Sequence, residues 1–230
     1  MKNILKNKKV SNIVGPLIAL IVLSLLLTII TDQFFKTNNL LNILRQASIN
    51  ALVSFGMLFV LLTGGIDLSV GATIACSGCM MGIMIKAGIN NTFLLLLVGL
   101  LCGVLIGLVN GLLFTKLDLP HPFVSTLGTQ LVIRGFCLWI TGSASMSGFS
   151  EGVMFLGYES IGGFPVCFIL VIIVAVVASI FLNKTAFGRY IYSIGGNREA
   201  ARLSGIKVKP LLNLTYILSG LLAALAGIVM

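Results

Sequence analysis

FLLLLVGLLCGVLIGLVNGLLF, the stretch Phe93–Phe114, contains no charged side chain. A helix needs about 20 apolar residues, each rising ~1.5 Å, to cross the hydrocarbon of a bilayer. The stretch therefore reads as a membrane-spanning α-helix. Gly99, Gly103, Gly107 and Gly111 recur every four residues within it, which lines one helix face with glycine. In lipid, such a strip lets a second helix approach closely, because small-xxx-small packing replaces the hydrophobic drive. Tight packing explains it better than a ligand site.

Working outward, similar runs cover Val14–Ile30, Ile49–Leu62, Leu68–Ile85, Phe123–Ile140 and Val166–Leu182. One more begins near Leu211 and is still apolar at Met230. The expected fold is all-α, a polytopic bundle of about seven spans, with residues 1–230 as a single transmembrane domain. Because the last run carries no flanking charge or polar tail, the chain reads as a fragment, truncated at its C-terminus. The first run follows Lys2, Lys6, Lys8 and Lys9 but precedes no small-x-small cleavage site, so it reads as an uncleaved span. Composition agrees: the 230 residues are 58% hydrophobic and 9% charged, with a mean hydropathy of +1.13. Soluble domains carry about 25% charged residues.

A net charge of +9 could suggest nucleic acid, but the bases sit at the ends and loops of the apolar runs. Lysine and arginine concentrate on the cytoplasmic side of membrane proteins. With the N-terminus inside, one side holds the four N-terminal lysines, Lys116, Lys184, Arg189, Arg198, Arg202, Lys207 and Lys209. The other side holds Lys36, Arg45 and Lys86, and its loop 142–164 carries Glu151 and Glu159 without a base. The N-terminus and loop 183–210 are therefore expected in the cytoplasm. No nucleic-acid partner is expected; lipid is.

Catalytic patterns are missing. GxSxG, HExxH and a Walker A loop do not occur, and His121 is the single histidine. No metal or cofactor is expected. Cys76, Cys79, Cys102, Cys137 and Cys167 all lie in apolar runs and read as small buried hydrophobes, although Cys76 and Cys79 share a helix face. His121, in the Pro120-His121-Pro122 turn, could serve a proton relay but sits at an interface. Ionisable residues inside spans are functional candidates, and two stand out. Arg134 is either a structural or snorkelling side chain or part of a hydrophilic path. Asp67 lies in Gly64-Gly65-Ile66-Asp67-Leu68-Ser69, which interrupts the apolar run from Ile49 to Ile85. It either N-caps the following helix or, with Gly64, Gly65 and Ser69, lines a path beside a broken helix.

Loop 183–210 contains a short, well-punctuated helix. Asn197 suits its N-cap, Glu199 its positive end, and Gly205 its stop. Ala200, Ala201 and Leu203 leave a small apolar surface between Arg198 and Arg202. Two turns are not stable alone, so the segment reads as a docking element for another protein, the other reading being an ordinary basic loop.

NLLNILRQ (Asn39–Gln46), TGGIDLSVG (Thr63–Gly71), and Gly188-Arg189-Tyr190 followed by GGNREAARLSGI (Gly195–Ile206) together resemble a known family. These are the permease subunits of bacterial ATP-binding-cassette importers for ribose, xylose, allose and related monosaccharides. The resemblance implies a subunit of about nine or ten spans in the bacterial inner membrane, paired with a second permease as a homodimer, a cytoplasmic ATPase and an extracytoplasmic sugar-binding protein. Asn197–Gly205 matches the helix that couples to the ATPase, with Gly188, Arg189, Glu199, Ala200, Ala201 and Arg202 in the matching segment. ATP would be hydrolysed by the partner, so the chain itself would be no enzyme. The alternatives are an ion-coupled secondary transporter, a membrane-embedded enzyme and a non-transporting structural fragment.

Overall fold

Each of the seven apolar runs lies in a helix. A computed structural model describes the backbone of residues 8–230 and the side chains from residue 14 onward; Lys2, Lys6, Lys8 and Lys9 lie outside the described side chains. The helices are α1 (Lys8–Ile30), α2 (Thr37–Leu61), α3 (Val70–Lys86), α4 (Thr92–Lys116), α5 (Pro122–Thr141), α6 (Glu151–Tyr158), α7 (Val166–Lys184), α8 (Ala186–Gly196), α9 (Arg198–Leu203) and α10 (Val208–Ile228). A two-stranded hairpin of β1 (Ser160–Ile161) and β2 (Phe164–Pro165) separates α6 from α7. Its Gly162-Gly163 turn has φ of +60° and +84°, the left-handed geometry that tight hairpins require. The protein is an all-α, multi-pass membrane bundle. Among the described residues, α2, α4, α5, α7 and α10 are long and apolar enough to cross a bilayer; Val14–Ile30 and α3 are shorter apolar helices.

Several helix starts differ from the sequence reading, α1 beginning at Lys8 and α3 at Val70. Helix α2 begins at Thr37 rather than Ile49, because its polar first turns are amphipathic rather than irregular. Helix α10 begins at Val208 and takes Pro210 into its first turn, where a missing N–H costs no helical bond.

Residues up to Leu44 and residues from Arg45 form two compact units. In the first, α1 exposes Leu17, Leu20, Leu23, Ile29 and Ile30, an apolar surface suited to lipid. Its Ser24 and Thr28 hydroxyls donate back to the carbonyls of Leu20 and Ser24, so neither leaves an unsatisfied group in hydrocarbon.

The second unit is organised around α4 and α10, which lie against each other along their length. Glycine makes this possible. A Cβ on Gly103 would fall onto the Gly220 carbonyl oxygen, and one on Gly107 onto the Tyr216 carbonyl oxygen. Helix α3 packs on both helices, and α5 packs on α3. On another side, Phe59 of α2 meets Ala178 and Leu182 of α7, Ile191 of α8 and Leu222 of α10. Nearer the hairpin end, Leu52, Cys167, Val171 and Ala226 join the same three long helices. All five cysteines are free, and Cys76 lies against Cys102 and Cys137 between α3, α4 and α5.

Candidate functional site

The break between α2 and α3 is built by glycine. Helix α2 closes with the Gly65 N–H donating to the Val60 carbonyl and the Gly64 N–H to Leu61. Gly64 has φ +74°. This left-handed glycine turn satisfies the last carbonyls of the helix and starts eight residues of non-helical chain before Val70. Irregular backbone at membrane depth is tolerated only where protein or a cavity surrounds it. Here protein surrounds the part nearest α3, where Asp67 and Ser69 are each 1% exposed.

Three helices hold this segment through polar side chains. Oδ1 of Asp67 accepts from the Ser69 N–H at 3.0 Å and from the Ser69 hydroxyl at 2.6 Å. Its Oδ2 accepts from the Ser219 hydroxyl of α10 at 2.8 Å. The Ser69 oxygen in turn accepts from Nδ2 of Asn110, on α4, at 2.7 Å. Tyr216, also on α10, donates to the Ile66 carbonyl at 3.3 Å, and Thr73 of α3 donates to the Ser69 carbonyl at 3.0 Å. Oδ1 of Asn110 has no partner among the described residues.

Asp67 therefore does not sit at the N-cap of α3. That position is Ser69, which makes no side-chain cap bond; Asp67 closes the turn just ahead of it. The burial that a carboxylate resists is offset by three donors aimed at it. The sequence reading missed Asn110, Tyr216 and Ser219. Asn110 carried a signal, being the one strongly polar side chain in Phe93–Phe114; a serine or tyrosine in a span carries none.

Arg134 lies elsewhere. It lines a cleft of about 490 Å³ between α3 and α5 together with Gly71, Gln130, Thr141, Ser143 and Ser145. Small-molecule sites have volumes of this order and a few convergent polar groups. A Cβ at Gly71 would meet open space, so glycine there widens the cleft. The Arg134 guanidinium makes no hydrogen bond or ion pair with any described residue, and Arg134 and Asp67 are not paired. His121 is exposed at the turn before α5 and makes no cap bond.

At the end carrying α8 and α9, Thr185 caps α8 by accepting from the Gly188 N–H at 3.4 Å. A Cβ on Gly188 would fall onto the Leu182 carbonyl oxygen, so this corner needs glycine. Helix α8 buries Ile191 and Ile194 and turns Arg189, Tyr190 and Tyr192 outward. Asn197 then accepts from the Ala200 N–H at 2.9 Å, capping α9. Gly205, at φ +83°, ends it, with the Ile206 N–H returning to the Ala201 carbonyl. Within the six residues of α9 only Ala201 is buried, against Val60, Phe114, Ile194, Leu212 and Tyr216. Arg198, Glu199, Ala200, Arg202 and Leu203 face outward, Leu203 at 74% exposure. The Glu199 and Arg202 side chains pair at 2.5 Å. This bond holds the Glu199 carboxyl below its ordinary value and raises that of Arg202. Lys209 pairs with Asp118 at 2.6 Å and depresses it likewise.

Residues 39–230 match the family described as "Branched-chain amino acid transport system / permease component". The chain is 42% identical over 218 residues to the ribose import permease protein of Bacillus subtilis (strain 168), an alignment covering 94% of this chain and 67% of that protein. It is 40% identical over 217 residues to the ribose import permease protein of Escherichia coli (strain K12), covering 93% and 67%. Similarity to the D-allose transport system permease protein of the same strain is 38% over 198 residues, covering 86% and 60%. No solved structure matches.

Proposed function

The chain belongs to the branched-chain amino acid transport system / permease component family, and from that premise we propose that it is the membrane subunit of an ATP-driven monosaccharide importer. The cargo is a ribose-type pentose or hexose, in line with the ribose and allose permeases it resembles. Its partners are a cytoplasmic ATPase, an extracytoplasmic sugar-binding protein, and a second permease subunit, most simply another copy. The compartment is the bacterial plasma membrane, with the N-terminus and the α8–α9 segment on the cytoplasmic side, as the asymmetry of lysine and arginine favours.

One observation carries this reading. Helix α9 is too short to stand alone, yet it is capped at both ends and seated by Ala201 and by Arg198 against the Phe114 ring, with Glu199, Arg202 and Leu203 facing outward. Such a helix fits a groove on a motor protein. ATP binding by that partner would push on Arg198, Glu199, Arg202 and Leu203. The push would pass through Ala201 to the bundle and alternate its opening to the two sides. The α3–α5 cleft, with Arg134, Gln130 and Thr141, supplies hydrogen-bonding groups that replace a sugar's lost water. The Gly64–Ser69 break would bend as the pathway opens.

The test is assembly and uptake. The subunit is expected to copurify with its ATPase and to accumulate labelled ribose only when ATP and the binding protein are both present. An Ala201→Leu substitution should leave ATP hydrolysis running while uptake falls. An ion-coupled carrier rests on Asp67 alone, whose oxygens are already occupied by three donors. Uptake that survives collapse of both the proton and the sodium gradient while ATP is maintained excludes it.

A further inference from the structure

We propose that Tyr216 is the positioning residue that makes the α9 docking helix and the Gly64–Ser69 segment move as one body. This rests on the importer reading and adds the internal link it requires. Tyr216 is 0% exposed, and its two ends face different machinery. Its ring belongs to the cluster under α9, with Val60, Ile194 and Ala201. It also meets Phe114 edge-to-face, at 6.1 Å between centroids, and the Arg198 guanidinium of α9 lies 5.2 Å from that same Phe114 ring. Its hydroxyl reaches away from α9 to the Ile66 carbonyl at 3.3 Å. A Cβ on Gly65 would stand 2.9 Å from the Tyr216 hydroxyl oxygen.

The neighbourhood makes the link stiff. Three residues on, Ser219 holds Asp67 from the same helix, so α10 grips adjacent residues of the break at two points. The Tyr216 carbonyl occupies the space that a Gly107 Cβ would fill, which ties α10 to α4, the helix supplying Asn110 to Ser69. At the other end, a Cβ on Gly195 would fall onto the Leu62 carbonyl oxygen, so the α8 end already touches the start of the break. Packed interiors transmit displacement rather than absorb it. A push on α9 therefore reaches Ile66 and Asp67 through one side chain and its helix.

The experiment compares ATP hydrolysed per ribose accumulated, in proteoliposomes holding the subunit with its ATPase and binding protein. Tyr216→Phe keeps the ring and removes only the hydroxyl. The expected result is a rise in ATP consumed per ribose of roughly three- to tenfold, the factor one lost hydrogen bond is worth. Gly65→Ala pushes on the same hydroxyl from the opposite side and should raise the ratio too. The double variant should be only slightly worse than Tyr216→Phe alone, since the clash with the hydroxyl is gone and only the 3.0 Å contact with the Val60 side chain remains. Should Tyr216→Phe fail to fold, Gly65→Ala alone must raise the ratio. An unchanged ratio in a coupled parent complex overturns the proposal and leaves the importer reading standing. So does a fall of uptake and hydrolysis in proportion, which marks a merely structural tyrosine. A parent complex that takes up no sugar defeats the importer reading, and the link falls with it.

Discussion

The hydroxyl of Ser219 donates to Oδ2 of Asp67 at 2.8 Å across 152 residues of sequence. A buried acid in a membrane bundle invites a proton-carrier role. Here both oxygens are engaged by fixed donors, which makes the acid a strut between α10 and the break.

Replacing Asp67 by Asn should therefore damage the fold as much as transport. The amide oxygen can keep both Ser69 donors, but the NH2 then faces the Ser219 hydroxyl, which loses its acceptor, a bond worth about 2 kcal/mol. A clear drop in melting temperature in detergent is expected, and Ser219→Ala should show a smaller one. An Asp67→Asn protein as stable as the parent would remove the strut.

The glycine strip should be graded rather than uniform. Gly107→Val drives a side chain into the backbone of α10 and should cost about 3 kcal/mol, because overpacking against main chain has no rotamer to relieve it. Gly99→Ala meets the side chains of Ile228 and Met81 at 3.2 Å and should be far milder. Thermal unfolding of the two variants side by side distinguishes them.

The pH response of the docking helix follows from its ion pair. The folded-state value of Glu199 is depressed by Arg202, so its contribution is present above the ordinary carboxyl value and is lost as pH falls through the folded one. Asp118 with Lys209 behaves the same way. Both pairs are exposed, so the effect is modest. Association with the ATPase should be flat from about pH 6 to 8 and weaken only in the acid range below. Arg202→Glu, which sets two acids one turn apart, should weaken it at every pH, as binding measurements on the assembled complex would reveal.

Arg134→Gln should leave folding intact, because its guanidinium bonds to nothing described. If it meets sugar in the α3–α5 cleft, KM for uptake should rise roughly tenfold with ATP hydrolysis little changed. Arg134→Lys should not restore it, since an ammonium lacks the planar fork. Unaltered uptake kinetics in both variants would take the cleft off the pathway.

Much of this was legible from residues alone. Apolar runs located every long helix, because hydrocarbon thickness sets a length that composition reveals directly. The caps of α9 were equally legible, since Asn197, Glu199 and Gly205 act within a few residues of one another. Helices α6 and α8 and the β1–β2 hairpin were not read; the two helices are short and bury Val153, Ile191 and Ile194 in the tertiary structure.

By itself, then, the sequence determined that this chain crosses a membrane several times and bears a short self-capped helix in a basic segment, both consequences of local composition. The tertiary structure decided which polar groups meet. Asp67 is held by Ser219 and Ser69, Ser69 by Asn110, and Ile66 by Tyr216, whereas Arg134 is left facing an open cleft. A hydrogen bond depends on distance in space, and no spacing along the chain announces that residues 67 and 219 are neighbours.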